Sequence, residues 1–94
     1  MSASSDLVAE AVVVLPADLH ARPAGQVSQL GSAFDADVEL AAGTRTARAT
    51  SVLAVMGLGA VAGQQLIVRA RGPQAAEAVA AVSAVLEAVE APTP

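Results

Sequence analysis

The one histidine of this chain, His20, lies in the run Asp18-Leu19-His20-Ala21-Arg22-Pro23-Ala24-Gly25. Imidazole changes charge closest to neutral pH, and its neutral form is a nitrogen nucleophile. Arg22, two positions on, adds a permanent cation with a planar fork of donors. The residues that follow read as the start of a helix, where backbone N–H groups lack intrahelical partners and the dipole is positive. All three features favour an anion beside the ring. The chemistry this points to is covalent: a ring nitrogen attacks phosphorus, while the helix terminus and the arginine hold the phosphoryl oxygens. A lone loop histidine is more often an ordinary surface residue, so the weight falls on its setting.

Other chemistries are poorly supplied. The chain has no cysteine, which excludes disulfides, thiol nucleophiles and thiolate metal sites, and a single histidine makes a structural zinc site implausible. No metal and no cofactor is expected. Lysine is absent and all five basic residues are arginines, giving a net charge of -4. With no basic surface and Phe34 as the only aromatic, nucleic-acid binding is not expected. An independent hydrolase using His20 as a base lacks a serine or cysteine nucleophile or paired carboxylates nearby, although Asp18 is close. The segment Met56-Gly57-Leu58-Gly59 lacks the full glycine spacing of a phosphate loop and reads as a helix end plus a turn.

The elements that must position His20 follow from periodicity. The 94 residues suffice for one small domain, expected over 6–91 with flexible tails at 1–5 and 92–94. Leu7 to Leu15 is a β-branched run that suits a strand, ended by Pro16-Ala17-Asp18. Ala21 to Phe34 turns helical, with Val27, Leu30 and Phe34 on one face and Pro23 fitting only in the first turn. Asp37 to Ala41 and Thr44 to Thr50 alternate as a hairpin across Ala42-Gly43, placing Val38, Leu40, Ala47 and Ala49 inward. Ser51 to Leu58 is a short helix with Ser51 as its N-cap and Gly57 or Gly59 as its stop. Leu66 to Arg71 is a fourth strand. Gln74 to Ala91 is a long helix with the apolar stripe Val79, Val82, Leu86 and Val89. The order βαββαβα with amphipathic strands predicts an α+β open-faced sandwich, one sheet with three helices on one face and solvent on the other. The start of the chain has no basic region ahead of an apolar core, and the run Val52 to Gly63 is too short to span a bilayer; a soluble, cytoplasmic protein without membrane association is expected.

His20-Ala21-Arg22-Pro23-Ala24, preceded by Leu19 and a turn, strongly resembles the active-site motif of HPr, the histidine-containing phosphocarrier family of the bacterial phosphoenolpyruvate-dependent sugar phosphotransferase system. The segment Ala49 to Gly59 looks like that family's regulatory-serine segment, at the same distance after the histidine and without insertion. The resemblance covers nearly the whole chain and implies the HPr fold with a four-stranded antiparallel sheet. It implies that His20 is phosphorylated at the pros nitrogen, Nδ1. Arg22 would neutralise the phosphoryl charge, and the backbone of Ala21 and Arg22 would support it. Enzyme I would donate the group and enzyme IIA domains would accept it for coupled sugar uptake. The protein would thus be a monomeric carrier rather than an independent enzyme.

Two further features carry alternatives. Ser51 is explained by N-capping alone; the resemblance adds a site for HPr kinase/phosphorylase, and a transcriptional regulator as a further partner. Thr50 stands where the family commonly has lysine. Val52, Val55, Met56 and Leu58 are more apolar than so short a helix can bury, which suggests an exposed patch beside His20. The resemblance makes a docking surface of Ala21, Val52, Leu53, Val55, Met56 and Leu58. The family's usual lysines on the first helix are missing, with Gln29 and Ser32 there, so partner recognition should lean on Arg22 and apolar contact. A regulatory module acting through docking or Ser51, and a carrier for a nitrogen-related or dihydroxyacetone kinase branch, are the alternative readings.

Overall fold

The computed structural model describes residues 7–91; the tails expected at 1–5 and 92–94 lie outside them. The order is β1 (Val8–Val14), α1 (Ala21–Ala33), β2 (Asp37–Ala42), β3 (Arg45–Arg48), α2 (Val52–Gly57), β4 (Gln65–Arg71) and α3 (Ala75–Glu87). The strands form one sheet in the order β1-β4-β2-β3, and every pairing is antiparallel.

Each strand alternates because one face of the sheet is covered and the other is open. Val13 in β1, Val38 and Leu40 in β2, Ala47 in β3, and Leu66, Val68 and Ala70 in β4 all face the helices and are buried. Val27 of α1 and Val79, Val82 and Leu86 of α3 close over them. The open face carries a row of alternating charge along the pairing register Glu10, Arg69, Glu39, Arg48. Arg69 reaches Glu10 at 3.0 Å and Glu39 at 3.6 Å, while Arg48 pairs with Asp37 at 3.7 Å. Opposite charges facing one another across neighbouring strands favour this register modestly.

A core built from alanine and valine demands close backbone approach. Gly31 of α1 is buried against the end of β3, where a Cβ would stand 3.1 Å from the Ala49 Cβ. The Ser28 hydroxyl donates to the Thr50 carbonyl at 2.9 Å, so α1 is fastened to the segment that leads into α2.

Two elements end earlier than periodicity suggests. β3 stops at Arg48, although Ala49 stays buried and its N–H donates to the Val38 carbonyl at 2.9 Å. α3 stops at Glu87 rather than Ala91. Its last turn tightens, with the Ala88 N–H donating to Val85 at 3.1 Å and the Val89 N–H to Leu86 at 3.4 Å. Val89 still turns into the core, being 7% exposed. The stripe read from the sequence is therefore buried as expected, but its final member is reached by a turn.

Candidate functional site

His20 occupies the N-cap of α1 in an extended conformation (φ -112°, ψ -169°), and its carbonyl accepts the Ala24 N–H at 3.1 Å. The imidazole does not cap the helix, and no acidic residue lies in the first turn. The Ala21 and Arg22 N–H groups meet no acceptor among the described residues, and Pro23 has none to offer. Pro23 is buried inside the first turn, as the sequence suggested, and Arg22 before it is helical and exposed despite the bias that proline imposes. Among the described residues, the Arg22 guanidinium forms no ion pair. Two backbone donors and a cation without partners among the described residues thus lie within two residues of the ring, groups of the kind that favour a phosphate-sized anion.

The other side of the ring was not foreseen. His20 Nε2 lies 3.4 Å from the backbone carbonyl of Glu90, a long hydrogen bond between residues 70 apart in sequence. The early end of α3 makes it: once Val89 folds into the core, the next carbonyl is carried to the imidazole. A carbonyl can only accept, so the contact exists only when Nε2 bears the proton, and in the neutral ring Nδ1 then carries the free lone pair. An open groove of about 870 Å³ leads away from the ring between α1 and α3, walled by Gln26, Leu30, Val85 and Val89.

Asp18 does not orient the imidazole. Its Oδ1 accepts the Ala62 N–H at 2.9 Å, on the loop that follows α2. Asp18 and His20 therefore do not form an Asp–His pair of the hydrolase kind.

Ser51 caps α2. Its hydroxyl accepts the Ala54 N–H at 3.1 Å, and its carbonyl accepts the Val55 N–H at 3.0 Å. The helix ends as Gly59 turns to φ +62°. The Arg45 guanidinium donates to the Gly57 carbonyl at 3.1 Å, placing a cation at the negative end of the helix. The expected apolar patch is real but smaller than the sequence suggested. Val52, Leu53 and Met56 are exposed, Leu53 at 83%, and Ala21 is exposed at the start of α1. Val55 and Leu58 are buried, at 0% and 5%, and are withdrawn from the docking surface. A short helix packed against α1 and β3 must bury one side, and Val55 with the C-cap Leu58, three residues on, forms it.

The fold and this site define a small open-faced sandwich that presents one histidine at a helix start beside a free arginine. The family described as "PTS HPr component phosphorylation site" matches residues 7–88. The phosphocarrier protein HPr of Vibrio cholerae is 39% identical over 69 residues, which is 73% of this chain and 81% of that protein. The phosphocarrier protein NPr of Escherichia coli K12 is 46% identical over 67 residues, 70% of this chain and 74% of that protein. The crystal structure of HPr from Bacillus anthracis superposes with a TM-score of 0.78 at 28% identity, covering 86% of this chain and 99% of that one. The chain belongs to the HPr family of phosphocarriers of the phosphotransferase system. No helix among the described residues is long and apolar enough to cross a membrane.

Proposed function

We propose that this protein accepts a phosphoryl group on Nδ1 of His20 from enzyme I and passes it to an enzyme IIA domain. The observation that carries this reading is the Nε2 contact with the Glu90 carbonyl, which leaves Nδ1 as the nucleophilic nitrogen of the neutral ring beside the open start of α1. In the transfer, the bond between phosphorus and its carrier atom on enzyme I breaks as the P–Nδ1 bond forms. The transition state spreads negative charge over three equatorial oxygens. Arg22 and the Ala21 and Arg22 amides neutralise that charge as it reaches this protein, and His20 becomes cationic in the ring as it bonds. The Nε2 proton, held against Glu90, stabilises that ring charge and orients the plane. The same groups act in reverse when an acceptor takes the phosphoryl group. The P–N bond is labile, so the protein stores the group without trapping it and turns over only with its partners.

The exposed Ala21, Val52, Leu53 and Met56 supply the docking surface beside His20. An apolar patch of this size suits weak, rapidly exchanging complexes. Ser51 is a cap first. Phosphorylation there would place charge at the edge of the same surface and weaken docking of acidic partners. Relatives named HPr and NPr both resemble the chain, so its branch is decided by which enzyme I charges it.

The test is incubation with phosphoenolpyruvate and the cognate enzyme I. One acid-labile phosphoryl group should appear on the wild type, on Nδ1 by nitrogen NMR of the ring, and none on His20→Ala. A wild type that stays unmodified by a competent enzyme I refutes the reading. Phosphate on Nε2 refutes the role given to Glu90.

A further inference from the structure

We propose that Asp18 is a positioning residue for this transfer, its carboxylate fastening the loop that presents His20 to the segment leaving α2. The proposal rests on His20 being the phosphoryl acceptor and adds the device that keeps the acceptor and the docking helix in one rigid face.

Between β1 and α1 the chain runs as an irregular stretch, Leu15 to His20, two residues of which, Pro16 and Asp18, are exposed. It lies along the equally irregular segment 59–64. Backbone bonds join the two at their ends: Leu15 exchanges bonds with Gln64 (3.0 Å) and Gly63 (2.8 Å), and the Leu19 N–H donates to the Ala60 carbonyl at 3.0 Å. Between those ends the backbone offers no link, and Pro16 has no N–H to give. The gap is bridged by a side chain, with Asp18 Oδ1 taking the Ala62 N–H at 2.9 Å across 44 residues of sequence. Aspartate is short enough to mimic a backbone acceptor, which is why it serves in such bridges.

The location gives the bond its consequence. Asp18 stands two residues before His20, and Ala62 lies on the loop that continues from α2, whose exposed Val52, Leu53 and Met56 meet a partner. A partner seated on α2 presents its phosphoryl group at a fixed place. The His20 ring must then be within reach of that place, and a displacement of about 1 Å can cost orders of magnitude in rate. The backbone bonds at Leu15 and Leu19 hold the ends of the seam, while Asp18 fixes the stretch between them, two residues before the one that carries the nucleophile. The link needs only one acceptor oxygen at that position, which an asparagine amide also offers, so asparagine should replace aspartate there and alanine should not.

The experiment compares Asp18→Ala, Asp18→Asn and wild type as acceptors from phosphorylated enzyme I, at a temperature where circular dichroism shows all three fully folded. Amide hydrogen exchange at Ala62 is followed by NMR in the same samples. Asp18→Ala should lose roughly ten-fold in kcat/KM, the size expected from one lost hydrogen bond at a site that needs tight geometry, and its Ala62 amide should exchange faster. Asp18→Asn should stay within about two-fold of wild type with Ala62 protected. Rescue by asparagine is the outcome that a role in charge would not give, and a slower transfer by fully folded Asp18→Ala is the outcome that a role in global stability alone would not give. A folded Asp18→Ala that transfers at the wild-type rate overturns the proposal. So does an Asp18→Asn as slow as Asp18→Ala. A wild type that takes no phosphoryl group at all overturns the reading of His20 itself, and the wild-type arm tells that failure apart from the other two.

Discussion

Replacing Arg22 separates what the site does from what holds it together. The guanidinium is exposed and, among the described residues, ion-pairs with nothing, so the free protein loses little when it is removed. Surface substitutions of that kind fall within about 0.5 kcal/mol of wild-type stability. The proposed transfer, by contrast, brings the negative charge of the phosphoryl group to the helix start that carries Arg22. Two unit charges 4 Å apart attract by about 1 kcal/mol in bulk water and about 4 kcal/mol at the effective dielectric of a protein surface. A docked partner moves the site from the first condition toward the second. Charge-assisted hydrogen bonds are worth about 1.5–3 kcal/mol, which falls inside that range. Arg22→Ala should therefore slow phosphoryl uptake from enzyme I by roughly ten- to a hundred-fold, since each 1.4 kcal/mol is about ten-fold in rate. Arg22→Lys keeps the charge but not the planar fork, and should fall between the two. The assay is rapid-quench transfer from phosphorylated enzyme I, with thermal melts of each variant alongside. Wild-type transfer in Arg22→Ala would refute the reasoning, and so would a loss of rate that simply followed a loss of melting temperature.

The other variants probe the elements around the site. Ser51→Ala removes the acceptor of the Ala54 N–H and should cost about 1 kcal/mol, lowering the melting temperature by about 4–8 °C, while His20 still accepts phosphate; an unchanged melt would mean that the cap contributes nothing. Leu53→Asp, at a side chain 83% exposed, should leave stability within about 0.5 kcal/mol and raise the KM for enzyme I several-fold with kcat little changed, which steady-state kinetics would show. Gly72→Ala places a Cβ 2.9 Å from both the Ala36 Cα and the Asp35 carbonyl at a residue with φ +136°, and should destabilise by roughly 1–3 kcal/mol in urea denaturation. A neutral outcome there would contradict the close approach of the β4–α3 corner to the end of α1.

How much of this was legible in the chain depended on whether a residue's fate was set by its neighbours in sequence. The strands were, because alternation such as Asp37-Val38-Glu39-Leu40 is a local pattern that a half-covered sheet imposes directly. The cap at Ser51 and the place of Pro23 in the first turn of α1 were also local, since each follows from which backbone donors a helix start leaves free. The face of α2 was not. Val52 to Leu58 is apolar almost throughout, so nothing in composition separates the exposed Val52, Leu53 and Met56 from the buried Val55 and Leu58; only the helix period and the side on which the sheet lies decide it. The end of α3 fails for a sharper reason. Val89 continues the stripe of Val82 and Leu86 at helical spacing, so periodicity extends the helix through it, yet a tight turn at Ala88 buries the same side chain equally well. That choice is invisible locally and has the largest effect on the site, because the turn, and not the helix, brings the Glu90 carbonyl to His20. The Asp18–Ala62 bond is hidden in the same way: an aspartate after Pro16-Ala17 reads as a turn residue, and its partner is defined only once α2 and the loop after it have been laid against β1. The motif on which phosphoryl acceptance by His20 is proposed is thus a short, local one. The contacts proposed to fix the nucleophilic nitrogen and its distance from α2 come from tertiary closure, which is where substitutions far from His20 in sequence should change its chemistry.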